Sequence, residues 1–397
     1  MISASASEGT LQLLRTWMAT PQDVIPIVGG RNVLIKHPDH IRAVLTDNSF
    51  TKETGANRRF RDHVADGVLT APADRHRAER LLLNAATRDF MTLNCVATEH
   101  VEALASLMSW HAARGERVDL TAAMNRLALG VIAEVLFGWT AIDELAEAMA
   151  AAMAVLDASG AMLPTQQQLS PVRDRVFRAV HELVELQPPS ERGPALTAMI
   201  DAAYSRDAIA HQAVTLLLAG HETTANSLAW IWISLIRTPD AYGRWQQQML
   251  AVPRMARAAT GNVTREGLRL FPSSWIIGRK STTDTEIDGT PIPRGCTITI
   301  SPYVTHRHPQ FWPDPERFDP SRHDGSPVHR FAWLPFGAGA RMCLGSTYAL
   351  WEADITLSTL GQRFRFHSDA AETATPRFRY TLGAPPMPVD IQPLGQR

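Results

Sequence analysis

The chain has 397 residues, of which 45% are hydrophobic, and a formal net charge of −1 at pH 7. Its length allows one large domain or two or three smaller ones, and its apolar content excludes an intrinsically disordered chain. A net charge so near zero gives no electrostatic basis for binding nucleic acid or an anionic membrane. The cysteines, Cys95, Cys296 and Cys343, are too few and too scattered for a disulfide framework or a zinc site.

The N-terminal 50 residues predict a helix followed by a small β region. Apolar residues have helical spacing over Leu11–Met18, and Val24–Val28 and Asn32–Ile35 are predicted strands around Gly29-Gly30. Two short apolar runs separated by glycines are typical of a β-hairpin. A further helix is predicted to begin at His37.

A polar stretch and long helical regions follow. Phe50–Val68 has no clear period and predicts an irregular loop, whereas Leu81–Phe90 and most of Thr98–Ser205 have the spacing of helices. His76 and Arg80 are four residues apart and share one helix face. Such a pair is more often solvated surface, but two groups that can carry positive charge also suit an anionic ligand.

The most apolar long stretch, Ile209–Ile236, lies in a predicted helix, Ala208–Ile236, which at ~1.5 Å per residue is roughly 40 Å long. Polar and ionisable side chains within it make a membrane span costly, so we expect a helix buried in a soluble protein. No signal peptide is visible, because the N-terminal sequence MISASASEGT lacks a basic region followed by an apolar core.

The middle of this helix, from Ala219 to Thr224, has the sequence AGHETT and places an acid beside two hydroxyls. A threonine hydroxyl can bond the carbonyl one turn earlier and open the backbone ladder. Ala219 and Gly220 leave room beside such an opening for a small molecule, and Glu222 next to Thr223 forms a proton relay. The alternative is a Glu222 that reaches solvent and a Thr223 packed in the core. The motif alone leaves both interpretations open.

Glu266 and Arg269 lie three residues apart in a predicted helix, Val263–Leu270, and can form an ion pair. An exposed pair of this kind contributes little to stability. The pair is common by chance, so its meaning depends on what surrounds it.

The C-terminal third predicts strands separated by an irregular stretch. Trp275–Ile277 is a predicted strand that leads to Arg279, and a strand, a turn and a second strand are predicted within Ile287–Ile300. Residues 311–331 are rich in proline and aromatic residues and show little regular pattern. Two further strands are predicted at Phe364–Phe366 and Phe378–Leu382, and a turn at 383–388 is expected to approach a pocket.

Residues 336–345, with the sequence FGAGARMCLG, hold Cys343 in a glycine-rich loop before an apolar helix. The positive end of a helix dipole and nearby backbone N–H groups favour a thiolate. The glycines permit tight turns and let a flat ligand approach the backbone, and Arg341 is placed to meet an anion on that ligand. These are the requirements of a thiolate ligand to haem iron. The alternative for a lone cysteine is a buried structural residue.

The segments HRAER, AGHETT, EGLR, PERF and FGAGARMCLG occur in one order along the chain. In this order they resemble the cytochrome P450 family, from about Asn32 to the C-terminus. The resemblance implies one domain over residues 1–397, mainly α-helical with a small β region at approximately 22–50, 275–300 and 364–390. The haem is expected between the AGHETT helix and the helix after the Cys loop.

The resemblance also implies a role for each matching residue. Cys343 is the expected iron ligand, and Glu222 and Thr223 are the expected catalytic residues. Residues expected to contact the haem are His76, Arg80, Ala219, Gly220, Arg279, Phe336, Gly337, Arg341 and Gly345. The expected pocket residues are Leu216, Ala219, Ile276 and Ile277. Glu266, Arg269 and Arg317 are expected to form a buried structural network.

The implied activity is that of a haem-thiolate monooxygenase, which inserts one oxygen atom of O2 into a hydrophobic small molecule by hydroxylation or epoxidation. A terpenoid of secondary metabolism is the expected substrate, ahead of a fatty acid or a polyketide. The cofactor is haem b. Because the chain shows no flavin or iron–sulfur motif, electrons from NAD(P)H are expected through a separate ferredoxin and ferredoxin reductase. A cytoplasmic monomer is expected.

Two alternatives keep the haem and change the function. A peroxide-driven peroxygenase would use another oxidant, but that class generally lacks the Glu222–Thr223 pair. A haem gas sensor or carrier would not be an enzyme, and the predicted proton relay argues against it.

Overall fold

The computed structural model describes residues 2–27, 31–86, 90–158, 164–250, 253–325 and 328–395. The predicted hairpin turn at Gly29-Gly30, together with Val28, lies outside these residues. So do residues 87–89 of the helix predicted over Leu81–Phe90; on either side of them, one helix ends at Ala86 and another begins at Phe90.

The fold is mainly α-helical with small sheets, as expected. The described helices are α1 (Ile2–Ala19), α2 (Pro38–Thr46), α3 (Gly55–His63), α4 (Ala73–Ala86), α5 (Phe90–Ala112), α6 (Leu120–Phe137), α7 (Asp143–Ala158), α8 (Gln166–Leu186), α9 (Pro194–Asp201), α10 (Arg206–Arg237), α11 (Pro239–Met249), α12 (Pro253–Leu270), α13 (Pro302–Thr305), α14 (Ser346–Arg363) and α15 (Ala370–Thr373).

The strands form small sheets that join distant parts of the chain. They are β1 (Val24–Ile27), β2 (Asn32–Ile35), β3 (Phe50–Thr51), β4 (Val118–Asp119), β5 (Ile277–Ser281), β6 (Thr285–Ile287), β7 (Thr290–Ile292), β8 (Thr297–Ile300), β9 (Phe364–His367), β10 (Arg377–Phe378), β11 (Leu382–Gly383) and β12 (Pro388–Pro393). The largest sheet has the order β1-β2-β8-β5-β3, in which β2 and β8 are parallel. In the other sheets, β4-β12-β9, β10-β11 and β6-β7 are antiparallel.

Helix α10 crosses the main hydrophobic core, where it packs against α6 and α12. A Cβ on Gly267 of α12 would lie 2.4 Å from Ile231 Cγ1 of α10, so this glycine allows the two helices to approach closely. By length and composition, α6 is the one described helix that could cross a membrane, and 67% of it is buried inside the protein. The stretch considered for a span from the sequence, Ile209–Ile236, lies in α10 and does not meet that test.

Several predicted elements have different bounds in the structure. The first helix begins at Ile2 instead of Leu11, and strand β5 begins at Ile277 instead of Trp275. The stretch Phe50–Val68 is not an irregular loop, because it contains β3 and α3. The Thr54 side chain accepts a hydrogen bond from the Asn57 N–H and caps α3. This cap was a detectable sequence signal, but the many charged residues of α3 obscured its helical period.

Glu266 and Arg269 form a fully buried ion pair near the end of α12. Arg269 Nε and Nη2 donate to the two carboxylate oxygens of Glu266 at 2.8 and 2.9 Å. Arg269 also donates to three backbone carbonyls between residues 306 and 317. Burial acts to raise the pKa of Glu266, but hydrogen bonds from His323 and Arg269 outweigh it and lower the pKa to about 2. The pair thus joins α12 to the irregular segment before the Cys loop.

The prediction that the Arg317 side chain belongs to this network is wrong. The Arg317 side chain is 67% exposed, and it is the backbone carbonyl of this residue that accepts a hydrogen bond from Arg269 at 3.1 Å. Arg322 Nε and His323 Nε2 instead lie 3.3 and 3.2 Å from the Glu266 carboxylate. A short sequence motif does not show which of two nearby arginines turns inward.

Glu266→Ala should lower the free energy of unfolding by about 3–5 kcal/mol, because it leaves the buried Arg269 charge without its partner. Urea denaturation followed by circular dichroism measures this change. Glu102→Ala is the matched control: it removes an ion pair with Arg363 in which both side chains are 44% exposed, and it should cost less than about 1 kcal/mol. Equal losses in the two variants would contradict a structural role for Glu266.

Candidate active site

The Cys loop, residues 336–345, is closed by a backbone hydrogen bond and a tightly packed glycine. The Cys343 N–H donates to the Phe336 carbonyl at 2.9 Å. Gly339 has φ +71°, and a Cβ there would lie 2.0 Å from the Leu45 carbonyl oxygen of α2. Only glycine combines this conformation with such a close approach. Helix α14 begins shortly after the loop, so Cys343 precedes a helix N-terminus as predicted.

Two other predicted glycines leave space along the loop. A Cβ on Gly337 would have Ile277 Cδ1, at 3.9 Å, as its nearest neighbour, and a Cβ on Gly345 would meet no atom within 4 Å. Gly337 also needs a glycine conformation, with φ +64°. The loop therefore has room beside Cys343 for a flat group.

Cys343 combines accessible surface with burial. The residue has accessible surface, yet its thiol lies in a buried environment, and this burial raises the pKa of the thiol. Both hold for a side chain that faces an internal cleft. The Gly345 N–H and the charges of Arg80 and Lys52 act in the opposite direction and favour the thiolate. The loop N–H therefore acts in the direction expected from the sequence, but burial outweighs it and the pKa of the thiol is raised overall. Coordination to a metal deprotonates a thiol outright.

Five side chains that can carry positive charge converge beside the Cys loop, namely Lys52, His76, Arg80, Arg279 and Arg341. Burial, followed by the charges of Arg279 and Arg341, lowers the pKa of Lys52 to about 7. Burial and the four neighbouring cations lower the pKa of His76 to about 4. Burial and Arg341 lower the pKa of Arg279 to about 10. Mutual repulsion of this kind is relieved by a bound anion.

Backbone carbonyls orient four of these side chains. Arg80 Nη1 donates to Met342 O of the Cys loop, Arg341 Nη2 to Ala71 O at 2.8 Å, Lys52 Nζ to Leu69 O at 2.7 Å, and Arg279 Nη1 to Gly278 O at 2.9 Å. Four separate segments of the chain therefore bring positive charge to one place. The structure brings together all four cation-capable residues that the sequence predicted here.

These residues fit a haem. Arg341 Nη1 is buried and has no hydrogen-bond partner among the described residues, as expected for a donor that meets a ligand. Haem propionates would supply carboxylates for the cations, and His76, neutral at pH 7, would offer an N–H. Over the described ranges no cluster of three or more His, Cys, Asp or Glu could hold a metal ion, so iron would depend on Cys343 as its protein ligand.

The sequence did not predict that Lys52 belongs to this site. It follows β3 in the stretch that we expected to be an irregular loop, and a single lysine there has no pattern to distinguish it. A correct prediction of β3 beside the strand that carries Arg279 would have placed Lys52 near the site.

One face of α10 combines small side chains with partial exposure. Most residues from 209 to 235 are buried, but Ala219, Thr223 and Ser227 are partly exposed. A spacing of four residues places these three on one helix face. Because α10 lies inside the core, this face has accessible surface where most of the helix has none. Ala219 and Thr223 are thus placed on an accessible wall, as the sequence predicted.

Hydroxyl groups are concentrated along this face. Thr223 Oγ1 donates to the Ala219 carbonyl at 2.6 Å, which is the hydrogen bond predicted from the sequence. Ser227 and Ser273 both lie within hydrogen-bond distance of the Thr223 carbonyl, at 2.7 and 2.8 Å, and their oxygens are 2.9 Å apart. Helix α10 continues unbroken from Arg206 to Arg237, so the predicted opening of the backbone ladder does not interrupt the helix.

Gly220 has a packing role in addition to the one predicted. A Cβ on Gly220 would lie 1.9 Å from Ile132 Cδ1 of α6. Its missing side chain therefore allows α6 to pack against α10. Gly220 is also partly exposed, like its neighbour Ala219, so its assignment to the haem site stays a prediction. The sequence shows that a small residue is needed at this position but does not show which neighbour requires it.

Glu222 is buried and held by the C-terminal part of the chain. Thr381 Oγ1 donates to Glu222 Oε1 at 2.7 Å, and Asn226 Nδ2 donates to Thr381 Oγ1 at 3.3 Å. Asn226 Oδ1 accepts the Ala384 N–H at 2.8 Å. Glu222 is 6% exposed, so the alternative of a carboxylate reaching solvent is wrong. Thr381 was missed because it lies far from Glu222 in the sequence.

The predicted pocket residues are placed differently from one another. Ile276 is 41% exposed, whereas Ile277 is half-buried against the core of the largest sheet. Leu216 is 8% exposed and packs in the main core, so its assignment to the pocket is not supported. Tyr380, which was not predicted, stacks on Phe60 of α3 with ring centroids 5.1 Å apart. Burial raises the pKa of Tyr380 although the side chain is exposed, which places it on an internal wall.

The turn at 383–388, which we expected to approach a pocket, contributes Ala384 and Pro386 to the lining of a cavity beside Glu222. Ala384 and Met387 are buried in the main core, and the Met387 N–H donates to Asp119 Oδ1 at 3.0 Å. The turn is therefore anchored between α6 and α10. Trp275 is buried in another core cluster and donates to the Arg379 carbonyl.

Comparisons with known proteins show which family this chain resembles. A family model described as Cytochrome P450 matches residues 25–187 and 166–392. The chain is 29% identical to cyclooctatin synthase of Streptomyces melanosporofaciens, over 92% of this chain and 87% of that protein. It is 29% identical to pentalenene oxygenase of Streptomyces avermitilis, over 83% and 80%. A solved 6-coordinated cytochrome P450 from Thermus thermophilus has 26% identity and a TM-score of 0.77, over 97% of this chain and 98% of that one.

Arg279→Gln should accelerate haem release about tenfold to a hundredfold, since hydrogen bonds to charged groups contribute about 1.5–3 kcal/mol. Transfer of haem to apomyoglobin measures the rate. Lys280→Gln is the control, because the next residue of β5 points to the opposite face of the strand. Arg80→Ala should act in the same direction as Arg279→Gln. Identical release rates in Arg279→Gln and the wild type would remove Arg279 from the propionate contacts.

Proposed function

The chain belongs to the cytochrome P450 family and is a monooxygenase, and we propose that it inserts one oxygen atom of O2 into a terpene hydrocarbon of secondary metabolism. The observation that carries the proposed site is an accessible Cys343 beside a cluster of cations. The terpene class is supported by the names of two relatives, cyclooctatin synthase and pentalenene oxygenase. The products would be alcohols or epoxides.

Cys343 would hold the haem iron, and Lys52, His76, Arg80, Arg279 and Arg341 would hold the propionates. Haem bound through a thiolate supplies the oxygen activation. The chain's own residues would bind and orient the substrate, exclude water and deliver protons.

Proton delivery is assigned to Thr223 and Glu222. The Thr223 hydroxyl uses its hydrogen to bond the Ala219 carbonyl, so its lone pairs remain able to accept a hydrogen bond from water. Glu222 is the preceding residue of α10, held in place by Thr381. General acid catalysis by a positioned group contributes about 10²–10⁴-fold to a rate. This adjacent pair favours a monooxygenase over the peroxygenase and gas-sensor alternatives.

The substrate is proposed to be neutral and apolar. Ala219, Ile276 and the ring of Tyr380 offer accessible apolar surface and no positive charge. Ligand pockets with such walls take up apolar molecules and use few polar groups for orientation. A terpene fits this wall better than a fatty acid, whose carboxylate would need a cation.

Members of this family receive electrons from a redox partner. We propose that a ferredoxin and a ferredoxin reductase carry electrons from NAD(P)H, since the sequence shows no motif for a second redox cofactor. We also propose a cytoplasmic monomer with one domain over residues 1–397.

The reduced protein exposed to CO should show a strongly red-shifted Soret band if Cys343 is a thiolate ligand. Cys343→His should abolish that band, because imidazole does not donate charge as a thiolate does. Cys95→Ser, which changes an exposed cysteine, should leave the spectrum unchanged. A normal CO–haem band in the wild type, or a red-shifted band in Cys343→His, would overturn the ligand assignment.

Thr223→Ala should lower product formed per NADPH at least about tenfold and raise H2O2 release, because a positioned proton donor contributes about 10²–10⁴-fold. Ser234→Ala is the matched control: Ser234 forms the same kind of hydrogen bond within α10, to the Trp230 carbonyl, but is fully enclosed in the core. Retained coupling in Thr223→Ala would exclude Thr223 from the relay.

The substrate for this measurement comes from a binding screen that also tests the substrate class. Pentalenene and other terpene hydrocarbons are compared with lauric acid and a macrolide by the spin-state shift of the oxidised haem. The proposal expects the terpenes to give the largest shifts and an oxygenated product with added redox partners. A shift with lauric acid alone would contradict it.

A further inference from the structure

A short segment between α3 and α4, residues 64–71, lies against the start of α10. We call it the strap. The Thr70 and Ala71 N–H groups both donate to the Gly67 carbonyl, at 3.1 and 3.0 Å, so the C-terminal half of the strap is a compact turn. A Cβ on Gly67 would overlap the Thr215 hydroxyl of α10, so this turn rests directly on the helix. A movement of one end of the strap is therefore transmitted to the other.

The C-terminal end of the strap is bonded to cations of the candidate haem site. Lys52 Nζ donates to the Leu69 carbonyl at 2.7 Å, and Arg341 Nη2 donates to the Ala71 carbonyl at 2.8 Å. The proposed function assigns Lys52 and Arg341 to the haem propionates. The position of the strap therefore affects where these two cations lie.

Two side chains of α10 hold the N-terminal part of the strap. His211 Nδ1 accepts the Asp66 N–H at 3.0 Å, and Gln212 Oε1 accepts the Val68 N–H at 3.0 Å. An amide such as that of Gln212 does not ionise, whereas a histidine changes its charge between about pH 5 and 8. We call the hydrogen bond between His211 and Asp66 the latch. It is the contact of this pair that depends on pH.

The latch requires a neutral imidazole. Its donor is a backbone N–H, so His211 Nδ1 must offer a lone pair, and the ring hydrogen lies on Nε2. Protonation adds a hydrogen to Nδ1, which then faces the Asp66 N–H and can no longer accept. His211 is partly exposed, so solvent can supply this proton. Acid therefore converts an attractive contact into a repulsive one.

The charged groups around His211 come from each element packed against it. Burial and then the charge of Arg173 on α8 lower the pKa of His211, and Arg75 on α4 acts in the same direction. Asp66 on the strap and Asp207 on α10 act in the opposite direction without prevailing. A released histidine has a pKa of about 6.5. Since the latched form has the lower pKa, it is fully favoured above about pH 6.5 and loses stability as the pH falls.

We propose that His211 is a positioning residue of the haem site, which holds the strap while its imidazole is neutral and releases it on protonation. Release displaces the Leu69 and Ala71 carbonyls and loosens the hold of Lys52 and Arg341 on the propionates. Haem is then lost faster in acid while the helical core stays folded. This inference rests on the haem site of the proposed function and does not depend on the substrate.

The experiment compares three variants with the wild type, all loaded with haem. His211→Asn places an oxygen acceptor near the position of Nδ1 but does not ionise. His211→Phe keeps an aromatic ring and removes the acceptor. His181→Asn is the matched control, because His181 Nε2 lies 3.5 Å from Asp207 and, among the described residues, His181 has no hydrogen bond to the strap. The readouts at pH 7.5 and 5.5 are hydrogen exchange of the peptide with residues 64–71 and haem transfer to apomyoglobin.

The wild type should lose protection of the strap amides by up to about tenfold between pH 7.5 and 5.5, after correction for the intrinsic exchange rate, because release takes up one proton. His211→Asn should keep its protection at pH 5.5 and release haem up to about tenfold more slowly than the wild type there. The two proteins should agree at pH 7.5. His211→Phe should show low protection at both pH values, and His181→Asn should behave as the wild type.

Protonation of Lys52 cannot produce the same result. Burial and neighbouring cations lower its pKa to about 7, so acid adds positive charge beside the propionates and should slow haem release. The latch predicts the opposite sign, and the comparison of His211→Asn with the wild type leaves Lys52 unchanged.

Failure of the inference differs from failure of the proposed function. Equal loss of strap protection in the wild type and His211→Asn would overturn the latch. A loss confined to proteins with His211, but with equal haem release from the wild type and His211→Asn at pH 5.5, would overturn the link from strap to haem site. A normal CO–haem band would instead contradict the thiolate ligand, and strap exchange would be unaffected by that result.

Discussion

The structure depends on positive charge gathered beside one cysteine. Lys52, His76, Arg80, Arg279 and Arg341 come from four segments of the chain. Burial lowers the pKa of four of these residues because neither water nor an acid fully stabilises their charge. Such an arrangement is unfavourable for folding alone and becomes favourable when carboxylates are bound between the cations. Repulsion among these cations therefore destabilises the folded protein at the site, and packing of the remaining core must offset that repulsion.

Helix α10 separates two environments that the reaction needs to keep apart. Its Ala219–Thr223–Ser227 face is partly exposed, and the adjacent positions Glu222 and Asn226 line a separate cavity. A single helix can do this because neighbouring side chains point in different directions while the backbone satisfies its own hydrogen bonds. In the proposed function, substrate lies against the first face and the acid belongs to the second. Both sides meet at one peptide unit, between Glu222 and Thr223.

The sequence predicted the residues whose function requires a local pattern, and it missed those defined by the fold. Cys343 was found because its loop needs glycines at fixed places, and the Thr223 hydrogen bond because it spans one helical turn. Lys52 and Thr381 were missed, since each reaches the site from a distant segment that carries no motif. Arg317 shows the converse error: the residue type was right for the pattern, but in the folded chain its side chain is exposed and a different arginine approaches Glu266. The helix α3 was missed for a different reason, because its charged residues hid the helical period.

The parallel pairing of β2 with β8 has a consequence for how the protein is made. Asn32 pairs with Thr297 and Ile35 with Ile300, and β5, which carries Arg279, is added to the other edge of β8. Contacts between such distant residues form late, because a long chain must first be brought together. A chain emerging from the ribosome can form its early helices, but it cannot assemble this sheet until β8 has been synthesised. Haem capture is then one of the last events of biosynthesis, so the supply of haem is needed when translation ends.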